Sequence, residues 1–138
     1  MPPGRVLNPG LQLGVIRHHF PHATGRIRRS ELVCTVTLQP SPASRAYTLR
    51  VTHHYGKHPQ VDVIEPNLQL RDDASQLPHV FRGDHLCLYY DREWNESLLL
   101  ARTVLPWASE WLLHYELWLA TGTWHGGGTT HVDLDLER

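Results

Sequence analysis

The alternation of apolar and polar positions predicts three strands in the first half of the chain. Every second residue from Leu32 to Leu38 is apolar, and β-branched residues lie between them, a pattern typical of a strand. A second strand is predicted over residues 46–53 and a short third one around residues 61–64. Because the connections between them are short, we expect the three strands to form an antiparallel meander.

A helix is predicted near the start of the chain. Asn8 is a suitable cap, and Pro9 fits the first helical turn. We expect Pro21 and Gly25 to end this helix. Its apolar residues recur at near-helical spacing: Leu11, Val15, Ile16 and Phe20.

The strongest helical pattern covers residues 97–121. Pro106 interrupts it, which predicts either two helices or a kink, with Pro106 opening the second piece. Gly122 is a natural stop. One buried stripe is indicated by residues spaced three and four apart: Leu100, Val104, Trp107, Trp111, Tyr115 and Trp118.

Residues 65–94 lack a regular pattern, and we interpret them as an ordered loop, here called the flap. The order helix, meander, flap, helices predicts an α+β fold with helices on one side of an antiparallel sheet. We expect a single domain over residues 1–125. A Gly-rich joint and a tail follow at 126–138, and the alternating apolar residues of the tail suggest a late strand or a docking segment.

The composition argues against two classes of function, nucleic-acid binding and membrane insertion. The 138 residues carry a formal net charge of −1, which excludes a strongly basic nucleic-acid binder as the default. No apolar run is long enough for a membrane span, and the first residues lack the apolar stretch of a signal peptide. We therefore expect a soluble, cytoplasmic protein with no nucleic-acid or membrane partner.

The histidines and cysteines limit the metal and redox chemistry. The spacing of His18 and His22 fits two ligands on one helical face, but Pro21 disrupts that helix, so we expect no metal and no cofactor. Two cysteines are too few for a disulfide framework. Cys34 lies in a predicted strand and is expected to be buried and inert.

Cys87 is the candidate nucleophile, because it lies in the flap with His79 and His85 nearby. An imidazole near a thiol favours the reactive thiolate. The alternative is an inert thiol buried between two leucines. His85 is predicted on the same face as Cys87, as a supporting group or as an exposed residue. Asp84 either orients one of these histidines, tunes the attacking amine, or is a turn residue.

Residues 77–88 resemble the active-site flap of ubiquitin-conjugating enzymes. Those enzymes read His-Pro-Asn, an aliphatic and an aromatic residue, a Gly-containing turn, then aliphatic-Cys-Leu. Residues 55–61, and Trp94 with the residues that follow it, resemble neighbouring family segments. The resemblance covers roughly residues 9–121. The matching residues in the flap are Pro78, Val80, Phe81, Leu86, Cys87 and Leu88.

The resemblance implies that Cys87 forms a thioester and that Trp94 is structural. Two positions depart from the family. Leu77 replaces the histidine that braces the flap, and His79 replaces the asparagine that stabilises the oxyanion. The imidazole of His79 can still donate one hydrogen bond to an oxyanion, or it can act as a general base.

The chain resembles bacterial ubiquitin-conjugating-like proteins of CBASS-type anti-phage operons. That similarity implies a thioester between Cys87 and the carboxyl terminus of a cGAS-like nucleotidyltransferase, followed by transfer to an amine. It leaves open whether a separate activating enzyme is required. Three alternatives stand beside it: a catalytically silent adaptor of the same fold, a cysteine hydrolase in which His79 activates Cys87, and a non-enzymatic oligomerisation module.

Overall fold

A computed structural model describes residues 5–126 as one antiparallel sheet accompanied by two α-helices. The strands follow one another in the sheet in chain order. Two short 3₁₀ turns, Asp91–Glu93 and Leu100–Arg102, precede the second helix. The elements are α1 (Pro9–His19), β1 (Thr24–Arg28), β2 (Glu31–Leu38), β3 (Tyr47–His54), β4 (Gln60–Glu65) and α2 (Val104–Thr121).

The α+β prediction is confirmed, and strands β2, β3 and β4 lie where the alternation predicts them. Strand β1 was not predicted. It is an edge strand with four of its five residues exposed, so it carries no apolar alternation to reveal it. Gly25 was expected to end the first helix, but it lies in β1 and pairs with Cys34. A Cβ on Gly25 would lie 2.6 Å from Leu13, so glycine allows this helix residue to pack against the strand.

The helix predictions are confirmed with one adjustment. The Asn8 side chain accepts a hydrogen bond from the amide of Leu11 and caps α1. The predicted break falls before Pro106: a separate 3₁₀ turn is followed by α2, in which Pro106 occupies the first turn. A proline there leaves the helix unbroken, because the first amides have no intrahelical partner. Gly122 ends α2 with φ 80°.

One core joins the inner face of the sheet to both helices. Cys34 is fully buried in it, as expected, and burial raises the pKa of its thiol. Apart from Trp107, which is half-buried, the predicted stripe on the second helical segment is buried. No helix in residues 5–126 combines the length and the apolar character needed to cross a membrane. The predicted tail lies outside the described residues.

Two polar contacts, each at least partly buried, connect the helices to the rest of the fold. The Gln12 amide donates to the carbonyl of Leu98 at 2.9 Å and accepts from the amide of Leu100 at 2.9 Å. Glu116 of α2 accepts hydrogen bonds from Ser44 at 2.6 Å and from Tyr47 at 2.8 Å. The first contact ties α1 to the segment before α2, and the second ties α2 to β3.

Candidate active site

Cys87 lies at the base of a short hairpin within the flap. Val80 and Leu86 form an antiparallel bridge, and the amide of Cys87 donates to the carbonyl of His79 at 3.0 Å. At the tip, Gly83 has φ 89° and Asp84 has φ 62°, so both adopt the left-handed region. Glycine accommodates that conformation without steric cost, which explains the tight turn. The hairpin therefore holds His79 beside Cys87.

The hairpin is anchored on two sides. On the sheet side, the amide of Leu86 donates to the carbonyl of Val61 in β4 at 2.9 Å. Next to it, Nδ1 of His85 is hydrogen-bonded to the Asp62 carboxylate. On the helix side, Nε1 of Trp111 donates to the carbonyl of His79 at 2.9 Å. These contacts fix the backbone that presents Cys87.

Cys87 forms part of the wall of a cleft of about 120 Å³ and is 2% exposed. The indole of Trp124 stacks on the ring of His79, with centroids 4.8 Å apart and planes 22° apart. This volume is well below the roughly 300 Å³ of a small-molecule site. The cleft is lined by His79, Cys87, Leu88, Trp107, Glu110, Trp111, His114, Trp124 and Gly126.

Two titratable side chains that line this cleft, Glu110 and His114, come from α2, and the sequence pattern does not single them out. Nε2 of His114 lies 3.6 Å from a carboxylate oxygen of Glu110, one helical turn away. Nδ1 of His114 is buried and has no hydrogen-bond partner among residues 5–126. The signal available in the sequence was the Glu110–His114 spacing on a predicted helix. Nothing in that spacing indicates that this face of the helix meets Cys87.

The structure brings together two of the four predicted site residues, Cys87 and His79. Asp84 lines a separate depression next to β4, together with Asp62. The ring of His85 is engaged with Asp62, and neither His85 nor Asp84 lines the cleft. The chemical roles assigned to these two residues stay predictions.

Trp94, the last residue of the flap, is buried and packs between the sheet and Tyr89. Its ring centroid lies 5.3 Å from His53 of β3 and 6.4 Å from Tyr89 of the flap. Tyr89 in turn lies 5.3 Å from Trp107 of α2. A series of aromatic rings therefore connects Trp94 through Tyr89 to Trp107 of α2.

One of the histidines near α1, His22, makes a hydrogen bond to the sheet. Nε2 of His22 accepts a hydrogen bond from the amide of Thr37 at 3.0 Å, so one of its two ring nitrogens is already engaged. Within residues 5–126, no three side chains of His, Cys, Asp or Glu are grouped so that they could hold a metal ion.

The antiparallel sheet with its two helices is compatible with the ubiquitin-conjugating-like fold. The sequence of the flap indicates the same class of protein. The model of the family described as Type II CBASS E2 protein matches residues 12–132. The chain therefore belongs to this CBASS E2 family. A comparison with curated proteins finds no significant match.

Proposed function

We propose that this chain is an acyl transferase in which Cys87 forms a thioester with the carboxyl terminus of a protein partner and passes it to an amine. The partner is a cGAS-like nucleotidyltransferase, and the reaction serves anti-phage defence in the bacterial cytoplasm. One observation carries the proposal: in a chain of the CBASS E2 family, Cys87 shares a narrow cleft with two imidazoles and a carboxylate. A cleft of this size suits a chain end better than a small molecule.

The chemistry requires an activated donor. The partner's carboxyl group arrives as an acyl adenylate, or as a thioester on a separate activating enzyme. The Cys87 thiol gives its proton to a base or to water, and Sγ attacks the carbonyl carbon. The S–C bond forms, the bond from that carbon to AMP or to the donor sulfur breaks, and AMP or the donor thiol leaves. The acceptor amine then attacks the same carbon, the C–N bond forms, the S–C bond breaks, and the amine proton passes to a base or to water. The thiol of Cys87 is regenerated.

His79 is the oxyanion donor in this scheme. Its backbone carbonyl accepts hydrogen bonds from the amide of Cys87 and from the indole of Trp111, and its ring is stacked on Trp124. A ring fixed in this way can direct one N–H at a developing oxyanion without reorganisation. Asp84 and His85 support the reaction indirectly, since Asp84 shapes the turn and His85 fastens the hairpin to Asp62.

The test combines the protein with a candidate nucleotidyltransferase, ATP and a candidate activating enzyme, and reads non-reducing gels and intact mass. We expect an adduct one water lighter than the sum of the two chains, cleaved by a thiol reductant. Cys87→Ala removes the adduct, whereas Cys34→Ala, at the buried second cysteine, retains it. An adduct that persists in Cys87→Ala contradicts the proposal, and so does its complete absence in the wild type.

A cysteine hydrolase is the second candidate, favoured by the His114–Glu110 pair in the cleft. Nucleophilic thiols in hydrolases are commonly activated by an imidazole that a third group orients. The two candidates differ in the final acceptor. Adding a lysine-containing acceptor to the preformed thioester yields an amide if the protein is a transferase and only free partner if it is a hydrolase. An adaptor would bind the partner without any covalent adduct.

A further inference from the structure

Trp124 lies across the cleft that contains Cys87. The cleft runs between the hairpin, which supplies His79 and Cys87, and helix α2. The indole of Trp124 contacts both sides. It stacks on the ring of His79 at 4.8 Å, and its centroid lies 5.4 Å from that of Trp111 and 5.7 Å from that of His114 in α2. A ring that contacts both walls spans the gap between them, so Trp124 covers part of the cleft.

The chain after α2 has a conformation that brings this ring to the cleft. Gly122 ends the helix in the left-handed region, with φ 80°, and so turns the chain. The hydroxyl of Thr121 accepts a hydrogen bond from the amide of Thr123 at 3.1 Å and holds the turn. At Gly126, a Cβ would lie 2.2 Å from Nε1 of Trp124, so only glycine allows the backbone to lie this close to the indole. The two glycines therefore help to place Trp124 at the cleft.

Little of Cys87 can be reached while this ring is in place. The residue is 2% exposed, and the cleft has a volume of about 120 Å³. Among the lining side chains in residues 5–126, Trp124 is the one that belongs neither to the flap nor to α2. The hairpin keeps its own hydrogen bonds to Val61 and to Trp111 when that indole is removed. Truncation of Trp124 therefore widens the cleft and leaves the backbone that presents Cys87 in place.

We propose that Trp124 determines by size which groups reach Sγ of Cys87. With the indole across the cleft, an extended polypeptide end can enter along the gap, whereas a bulky group cannot. This selection does not require the ring to leave His79, so the orientation of that imidazole is retained. The exclusion of bulky groups is a property of the protein alone. Its use in selecting the partner's chain end rests on the proposed function.

Two other roles for Trp124 lead to different expectations. If the indole only tuned the reactivity of the thiol, its loss would change the alkylation rates of small and bulky reagents by the same factor. If the indole only stabilised the fold, its loss would lower the melting temperature and favour neither reagent. Selection by size instead predicts a change in the ratio of the two rates.

This ratio can be measured without any partner. Cys87 is alkylated with iodoacetamide and with a fluorescein-labelled iodoacetamide, which carries the same reactive group on a bulky body. Peptide mass spectrometry separates Cys87 from Cys34, and rates with glutathione correct for the intrinsic reactivity of each reagent. Trp124→Ala is expected to accelerate the bulky reagent about tenfold or more, because a conformation open enough to admit it is a minor state of at most about a tenth in the wild type. The small reagent is expected to gain by a smaller factor.

The neighbouring residue His125 provides a matched control, because its side chain is exposed and does not line the cleft. His125→Ala is expected to leave both rates unchanged. Trp124→Phe keeps a smaller aromatic ring beside His79 and is expected to give an intermediate ratio. Melting temperatures establish that each variant is folded, and Trp124→Phe decides the question if Trp124→Ala does not fold.

Two results would overturn the inference. In one, the ratio of bulky to small reagent in the folded Trp124 variants stays at its wild-type value. In the other, His125→Ala raises the ratio as much as Trp124→Ala does, which assigns the effect to a general loosening of the segment. Neither result bears on whether Cys87 forms a thioester, since the adduct experiment tests that separately. Conversely, a raised ratio for Trp124→Ala in a protein that forms no adduct would retain the role of Trp124 and reject the proposed function.

Discussion

Gly83 sets the conformation of the hairpin that carries Cys87. Its φ is 89°, and a Cβ at this position would lie 3.1 Å from Nε2 of His85. Any other residue must adopt the left-handed region and also crowd the ring that is hydrogen-bonded to Asp62. A single backbone position therefore controls how the hairpin rests on β4.

Gly83→Ala is expected to lower the free energy of unfolding by about 1–2 kcal/mol, because alanine is strained at positive φ. Urea denaturation monitored by tryptophan fluorescence measures this change in the free energy of unfolding. Gly14→Ala is the control, since Gly14 lies inside α1 with nothing within 4 Å of its Cβ position. That change is expected to stabilise the protein by up to about 1 kcal/mol. Equal effects at the two glycines would show that the turn conformation does not matter.

His53 makes stability depend on pH. Burial lowers the pKa of this imidazole and outweighs the nearby Glu96 carboxylate, which raises it. The unfolded chain therefore binds a proton at a higher pH than the folded chain. The stability that neutral His53 contributes is complete above pH about 6.5 and is lost as the pH falls toward the folded pKa.

We expect His53→Gln to reduce the loss of unfolding free energy between pH 7.5 and pH 5.5, because glutamine does not titrate. Urea melts at the two pH values give the difference. His54→Gln, at the exposed neighbouring position, is expected to retain the wild-type loss. If wild type and His53→Gln lose equal stability over this interval, His53 is not the titrating group.

The elements are joined by a few buried polar contacts, of which Gln12 is the most central. Its side chain is 1% exposed and satisfies one carbonyl and one amide in the segment that leads into α2. The hydrophobic pattern offers no hint of this role, because Gln12 lies between two leucines on a predicted helix. Its importance depends on contacts with residues more than 80 positions away.

Gln12→Leu is expected to destabilise the protein by about 2–4 kcal/mol, because the buried amide of Leu100 and the partly buried carbonyl of Leu98 lose their partner. Chemical denaturation measures this loss. Gln39→Leu provides the comparison: Gln39 is exposed, and its main bond, to the carbonyl of Ser44, is replaceable by water. A cost of about 1 kcal/mol or less is expected there. If both variants cost the same, Gln12 does not clamp the helices.

Strands β2 and β3 could be predicted because one face of each is buried, and burial imposes the alternation. The short strand β4 is indicated only by its apolar residues, because Val61 and Asp62, which are adjacent, are both buried. Strand β1 could not be predicted, since its exposed edge imposes no pattern. The flap motif indicated Cys87 and His79 from local sequence. His114, Glu110 and Trp124 join the cleft only through the path of α2 and the residues after Gly122, and no local pattern encodes that path.

At the scale of the whole molecule, the fold places one thiol between a hairpin and a helix. The hairpin is held by β4 on one side and by Trp111 of α2 on the other. The helix contributes His114 and Glu110 to the same cleft. Cys34, the other thiol, is enclosed in the core. The two cysteines therefore differ in surroundings, since Cys87 lines the cleft and Cys34 is packed in the core.

The most direct test of the central claim is to locate the acyl group by tandem mass spectrometry. The wild-type protein is incubated with its activated partner, quenched at low pH without reductant and digested. We predict that the partner's carboxyl-terminal peptide is linked through a thioester to the peptide that contains Cys87, with the Cys34 peptide unmodified. A partner peptide attached at any other residue, or none attached while the partner is consumed, would contradict the account.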